Sequence, residues 1–352
     1  MAGIDISKDE LVVCLGRLQE DLVPELTLRK AFPNTKKGMA SLLGWTRKQS
    51  SDDKPVCYVM EATGVYHESL AYMLHAAGED VSIVLPNKIS NFFRTLDVKT
   101  ITDNTAAEAI ALFGLSRRLS VWAPPKEVYR TLRHLTRERD QVVTERTIAK
   151  NQLHAEKAQA HPGSSTIKRI KARIKMLDNQ VAEIEKEIKN LIASDKDLAE
   201  AVTLITSITG IGTVTGATIL AETNGFELIR NRRQLASYAG FDVKERQSGI
   251  SIKGKPRISK RGNKYLRKAM FYPALSAIRH DKNFNAVYQR IKEKGGISRK
   301  AEVAVQRRLL EMSYTIFKTQ KLYSTDYKEH LKRDEDGRQL NRIGTHQPKA
   351  VQ

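Results

Sequence analysis

Cysteine is nearly missing from this chain: Cys14 and Cys57 are the only two in 352 residues. Both sit in apolar, strand-like runs and read as small buried hydrophobes. No cysteine–histidine spacing suits zinc, and no disulfide framework is implied, so a reducing cytoplasm shared with chromosomal DNA is the expected compartment. No apolar run reaches the ~18 residues of a membrane span, and no basic-then-apolar leader pattern opens the chain. A glycine-rich nucleotide-hydrolysing loop is also lacking, which argues against ATP-driven chemistry. Acid is short as well: 40 Asp and Glu stand against 60 Lys and Arg, a net charge of +20, with an isoelectric point near 9.8. An excess that large suits a polyanion, and nucleic acid is the default partner. Hydrophobic residues still make up 40%, enough for packed cores, and the length points to two or three domains.

What is present begins with strands. "GIDIS" and "LVVCLG", parted by the polar Lys8-Asp9-Glu10, read as a hairpin. "PVCYVMEAT" reads as a third strand, "YHESLAYMLHAAG" as a helix with Leu70, Met73 and Leu74 on one face and Gly78 at its end, and "DVSIVLP" as a further strand. "TAAEAIALFGLSRRL" is a strong helix former. The order predicts an α/β domain over residues 1–120. After the Pro-Pro break in "WAPPKE" a long helical region is expected over 121–200, interrupted at "HPGSS". Its second half steps by three and four through Ile167, Ile170, Ile174, Leu177, Val181, Ile184, Ile188 and Leu191, a coiled-coil stripe. That stripe suits pairing within the chain or across a dimer equally well.

A third region, 201–325, opens with "SITGIGTVTGATILAET", where Gly210 and Gly212 separate two helical segments. Such a hairpin presents backbone N–H groups and the positive end of a helix to a phosphate. Next comes a Gly/Pro/Ser-rich loop running into a helix, bearing Lys253, Lys255, Arg257, Lys260, Arg261, Lys264, Arg267 and Lys268. It reads as a surface that grips nucleic-acid backbone rather than base edges. A last amphipathic helix runs through "AEVAVQRRLLEMSYTIFKT", and the polar residues 326–352 are expected to be disordered.

The candidate chemistry lies with three acids. Asp5, between Ile4 and Ile6, points to the strand face opposite theirs. Glu61 ends its strand just before a turn, and Asp103 starts a helix, where capping is the plain alternative. Together they suit convergence on hard Mg²⁺, which takes oxygen ligands. A fourth acid at i+3 from Asp103 would share its helix face, but that position is Ala106. Glu108, at i+5, points to a different part of the helix. Ser248 is followed by Gly249 in a dense cationic neighbourhood. Ser251 and Ser259 share its loop and composition does not choose between them; turn bonding is the ordinary role of such a serine. No His/Asp pair accompanies it, so a protease-type triad is not supported.

The blocks "GIDISK", "MEATGVYHE", "TDNTAA", "SITGIG" and "QSGISIKG" followed by "RISKRGNKYLRKAMFYPA" resemble, in order, those of the insertion-sequence 110 type transposases. These DEDD recombinases include the Piv-type DNA invertases, and the resemblance runs from residue 2 to about 320. It implies an α/β RuvC-like domain of ribonuclease H fold, a helical coiled-coil middle, and a mainly α transposase domain with a helix-hairpin-helix-like element. It also implies a structured guide RNA, the bridge or seeker RNA, that pairs with donor and target DNA, and a protein acting as a dimer or dimer of dimers. On this resemblance the family's first three acids fall on Asp5, Glu61 and Asp103, and its nucleophilic serine on Ser248. Ser248 would attack the DNA backbone, leaving a covalent phosphoserine and a free 3′-hydroxyl, with Mg²⁺ held by the acids in a composite site. The family's fourth acid falls on Ala106, which implies an impaired metal site; the intact neighbouring blocks favour a deliberate substitution over natural loss. Site-specific inversion, plain RuvC-like nuclease activity and inactive nucleic-acid binding are the alternatives.

Overall fold

The computed structural model describes residues 1–324 except 51–54, 63, 97, 99, 101, 228, 245, 246, 249–251 and 254–256, and only the backbone of 247, 248, 252 and 253. Lys255, Gly249, Ser251 and the 326–352 tail therefore lie outside the described residues. Two compact units emerge, Met1–Pro124 and Pro125–Gln352.

The first unit is built on a five-stranded sheet in the order β3-β2-β1-β4-β5. Strands β1 (Ala2–Ile6), β2 (Glu10–Leu18) and β3 (Pro24–Pro33) form an antiparallel meander, while β4 (Cys57–Glu61) and β5 (Asp80–Val84) run parallel to β1. Leu11 through Gly16 are all buried because both faces of β2 are covered. Leu11, Val13 and Leu15 pack with Leu42 and Leu70, on helices α1 (Lys36–Gln49) and α2 (Glu68–Ala76). Val12 and Cys14 pack instead with Ala107 and Ala111 of α4 (Asp103–Leu115). A further helix, α3 (Pro86–Phe93), follows β5.

β3, α1 and α3 are additions to the sequence reading. β3 is an edge strand, largely exposed and with proline at both ends, so it carries little apolar alternation. α1 starts where the Thr35 hydroxyl accepts the Gly38 N–H at 3.2 Å.

The second unit opens with two 31-residue helices, α5 (Glu127–Lys157) and α6 (Ser164–Ser194). They form an antiparallel hairpin within the chain: Arg139 meets Glu185 at 2.7 Å, Arg146 meets Asp178 at 2.9 Å, and Arg173 reaches Gln152 at 3.3 Å. The coiled-coil stripe is covered by this pairing, with Ile170, Leu177, Val181, Ile184 and Ile188 buried. The hairpin's root, Tyr129, Leu132, Ile184 and Ile188, shares one core with the helices that follow. These are α7 (Lys196–Thr206), α8 (Thr213–Thr223), α9 (Arg232–Ala239), α10 (Lys264–Ala269), α11 (Phe271–His280), α12 (Lys282–Gly295) and α13 (Ser298–Thr319).

Two details differ from expectation. The basic loop is partly a β-ribbon, with β6 (Val243–Lys244) paired to β9 (Arg257–Ile258) and β7 (Gln247–Ser248) to β8 (Ile252–Lys253). Two-residue ladders are too short to leave a period in the sequence. The helix expected through "KYLRKAMFYPALSAIR" is broken into α10 and α11 at Met270, just before Pro273, which has no N–H to donate to a preceding turn. Among the described residues no helix is long and apolar enough to cross a membrane.

Candidate functional site

The parallel register of β1 and β4 pairs Gly3 with Val59 and Ile4 with Met60. One step further along places Asp5 beside Glu61. Parallel neighbours stand about 4.8 Å apart and share a sheet face, so both carboxylates project to one side. That side is the one α4 covers. A Cβ built on Gly3 would lie 2.2 Å from the Ala111 nitrogen and 2.6 Å from the Ala107 carbonyl oxygen, so only glycine lets the helix settle on the strand. Asp103 is one turn before Ala107 on the same helix face, and Asp5 lies two residues beyond Gly3. Helix and strand thus bring the third acid over the first.

The electrostatics agree with this placement. The carboxyl of Asp5 is pushed up to about 6, first by burial, then by the Asp103 and Glu61 carboxylates, against a smaller opposing effect of the Ile6 backbone N–H. Asp103 is not the cap of its helix. Thr102 takes that role, accepting the Thr105 N–H at 3.3 Å while the Thr105 hydroxyl accepts the Thr102 N–H at 2.8 Å. Asp103 is left exposed in the first turn, where the helix dipole favours a negative charge.

Ala106 lies on the stripe of α4 that continues through Ile110 and Phe113, which pack with Val59 of β4 and Val84 of β5. An acid at position 106 would project toward the Glu61 side of the cluster. Glu108 leans the opposite way and pairs with Arg29 on β3. Asn34 is a supporting residue that sequence reasoning overlooked. Its side-chain amide donates to the Ser7 carbonyl at 2.8 Å and the Tyr66 carbonyl at 3.4 Å, tying together the loops that follow Asp5 and Glu61. No spacing in the sequence marks it, because its partners are backbone atoms of distant loops.

Three carboxylates with no sulfur or imidazole among them match the donor chemistry of a hard divalent cation, and a cation would relieve the repulsion felt by Asp5. Among the described residues, however, no three His, Cys, Asp or Glu side chains are already gathered at metal-holding spacing. The acids are near enough to feel one another's charge without being drawn into a closed nest.

In the second unit the backbone of Ser248 pairs with Ile252. The root of this ribbon is firmly held. Glu222 on α8 is 3% exposed and takes a bidentate pair from Arg137, 2.7 and 2.8 Å, plus the Asn263 amide at 2.6 Å. Its own carbonyl accepts the Tyr238 hydroxyl at 3.0 Å. The Ser259 hydroxyl donates to Asp242 at 2.6 Å and accepts the Arg261 N–H at 3.2 Å, so this serine is a satisfied turn residue.

The cations of the segment divide in two. Arg267 donates to the Ala239 carbonyl at 2.6 Å, and Lys268 pairs with Asp140 at 2.6 Å, so both hold the fold together. Arg257, Lys260, Arg261 and Lys264 are exposed. Lys253 is described by its backbone, in β8.

The glycines of the helical hairpin also divide. Gly210 has φ +93, and a Cβ there would lie 2.5 Å from the Pro273 carbonyl oxygen, so it serves close packing on α11. Gly212 is the exposed start of α8, with no side-chain cap and no acid in the first turn, which leaves that helix's leading N–H groups without an anionic side chain.

Comparison with known proteins adds four findings. Residues 2–162 match the DEDD family of IS110 type, described as transposase, and residues 202–289 match the IS116/IS110/IS902 transposase family. The pilin gene-inverting protein of Moraxella bovis is 27% identical over 317 residues, 90% of this chain and 95% of that protein. The transposase for insertion sequence element IS1328 of Yersinia enterocolitica is 27% identical over 243 residues, 61% of this chain and 69% of that protein.

Proposed function

The chain belongs to the IS110 family of transposases, enzymes that break and rejoin DNA, and from that premise we propose that it is an RNA-guided recombinase working through a serine–DNA intermediate. The observation that supports the reading is that Asp5, Glu61 and Asp103 share the α4 face of the sheet, near enough that burial and like charge raise Asp5 to about 6. The strand order β3-β2-β1-β4-β5, antiparallel then parallel, supports the RuvC-like, ribonuclease H assignment.

Asp5, Glu61 and Asp103 would hold Mg²⁺. When bound, the ion would polarise the scissile phosphodiester and steady charge on the oxygens around phosphorus. The Ser248 oxygen attacks a DNA-backbone phosphorus, its proton passes to solvent, and the bond to the 3′-oxygen, which takes up a proton, breaks. A phosphoserine ester and a free 3′-hydroxyl result. Attack of a new 3′-hydroxyl on the ester restores the serine and joins the strands, so bond energy is conserved and no ATP is consumed. Exposed Arg257, Lys260, Arg261 and Lys264 hold backbone phosphates near the ribbon. The uncapped start of α8 at Gly212 offers further N–H groups to a phosphate. Guide RNA, which would carry sequence choice by base pairing, and assembly as a dimer or dimer of dimers complete the reading.

The likeness to pilin gene-inverting proteins over 90% of the chain supports inversion of a DNA segment as a second outcome of the same chemistry. The test is to incubate protein, guide RNA, donor and target DNA with Mg²⁺ and look for a protease-sensitive DNA adduct. Loss of the adduct in Ser248→Ala is the expected result. Cleaved DNA without any adduct would point to a plain nuclease, and tight binding with neither to a non-catalytic binder.

A further inference from the structure

α12 and α13 pack side by side after a turn at Gly295-Gly296. Between them lies a cavity of about 380 Å³ lined by Val287, Arg290, Ala304, Arg307, Arg308 and Glu311. The spacing accounts for the lining. Ala304, Arg307, Arg308 and Glu311 follow i, i+3, i+4, i+7, one stripe of α13, beside the stripe of Ala301, Val305, Leu309 and Ile316 that is buried in the core. Val287 and Arg290 are one turn apart on α12.

Three guanidiniums thus face one carboxylate. Arg307 is engaged, at 2.8 Å from Glu311. Among the described residues neither Arg290 nor Arg308 enters an ion pair. Arg308 is only half-exposed, and the Val287 and Ala304 side chains give the cavity an apolar wall that concentrates its field. Like charges gathered in such a place repel one another until an anion arrives. The planar guanidinium fork matches phosphate oxygens two at a time. The α13 wall lies beyond residue 289, where the match to the IS116/IS110/IS902 transposase family ends.

We propose that this cavity is a phosphate site that grips the backbone of a nucleic-acid strand away from the Ser248 ribbon, with Arg290 and Arg308 as the binding groups and Glu311 as the brake on affinity. The proposal rests on the nucleic-acid reading given above. It is tested on the full-length protein by fluorescence anisotropy over a range of salt, with a labelled duplex DNA and a labelled single-stranded RNA of equal length. Arg290→Ala and Arg308→Ala should each weaken binding roughly tenfold and flatten the salt slope by about one. The probe that suffers the loss identifies the strand. Arg308→Lys should keep part of the affinity. Glu311→Gln should bind more tightly than the parent, a change that misfolding would not produce. Alanine variants with the parent's affinity and salt slope on both probes would overturn the site while leaving the serine-adduct reading standing. A parent protein that binds neither probe would overturn both.

Discussion

Asp5 shows how one side chain records its surroundings. Its carboxyl is raised to about 6 by burial and by two neighbouring acids. A carboxyl raised in the folded state prefers its proton there, so ionisation opposes folding. Stability attributable to this group falls as pH rises from the ordinary carboxylate range through about 6, then levels. Asp5→Asn removes the effect. In EDTA the variant should match the parent near pH 4 and melt higher at pH 8. The difference should be about 1 kcal/mol, reduced for solvent screening because Asp5 is only half-buried. Mg²⁺ should narrow that gap by stabilising the parent alone. A gap of equal size at both pH values would show that the Asp5 carboxyl is not raised in the folded state. Ala106→Asp is the companion test. On the proposed metal-site reading it would supply a further carboxylate on the Glu61 side of α4 and should raise Mg²⁺-dependent adduct formation strongly; equal activity in both forms would sink the four-acid account.

Elements decide whether those side chains meet. α4 settles on β1 because Gly3 has no side chain to hold it off. Gly3→Ala would drive a methyl into the Ala107 and Ala111 backbone, and neither the helix nor the strand has room to yield. A loss of about 3 kcal/mol or more in denaturant unfolding is expected, against a gain of about 0.5–1 kcal/mol for Gly44→Ala, which lies mid-helix in α1 where a Cβ meets open space. At the ribbon's root Glu222 ties α5, α8 and the start of α10 together. Glu222→Ala leaves the Arg137 guanidinium and the Asn263 amide without their acceptor. Because the Arg137 side chain is 43% exposed, the cost should fall to about 2–3 kcal/mol, below that of a fully buried pair. Thermal melting of the two proteins measures it. The α5–α6 hairpin illustrates the limit of periodicity. The stripe on α6 was legible in the spacing of its isoleucines, yet the spacing was silent on which helix would cover it. Cross-pairs such as Arg139–Glu185 answer that, and they become visible only once the chain has turned back on itself.

For the molecule as a whole, the two units own separate cores. The clusters of the first unit draw on residues up to Trp122, and the large cluster of the second begins at Val128. Residues 1–124 expressed alone should therefore fold and melt cooperatively; a fragment lacking a melting transition would show that its core is incomplete. Much of this was readable from the chain. Charge pointed to a polyanion, because lysine and arginine counts need no fold to be meaningful. β1, β2, β4 and β5 were readable because runs buried on both faces are continuously apolar. The acids at 5, 61 and 103, the alanine at 106 and the serine at 248 were marked by ordered motifs. Other features depend on what lies opposite a residue in space. β3 is an edge strand with little apolar signal. Asn34 bonds to backbone atoms of remote loops. Arg267 and Lys268 look like Arg257 and Lys260 in the sequence, yet the first pair is already bonded, to a backbone carbonyl and to the Asp140 carboxylate. The arginines of the α12–α13 cavity belong to different helices, and only packing made them neighbours. Residue type and spacing set the chemistry this chain carries, because they act through local backbone geometry. Which groups converge, and which are already occupied, was left to the tertiary structure, because those outcomes depend on contacts between residues far apart in the chain.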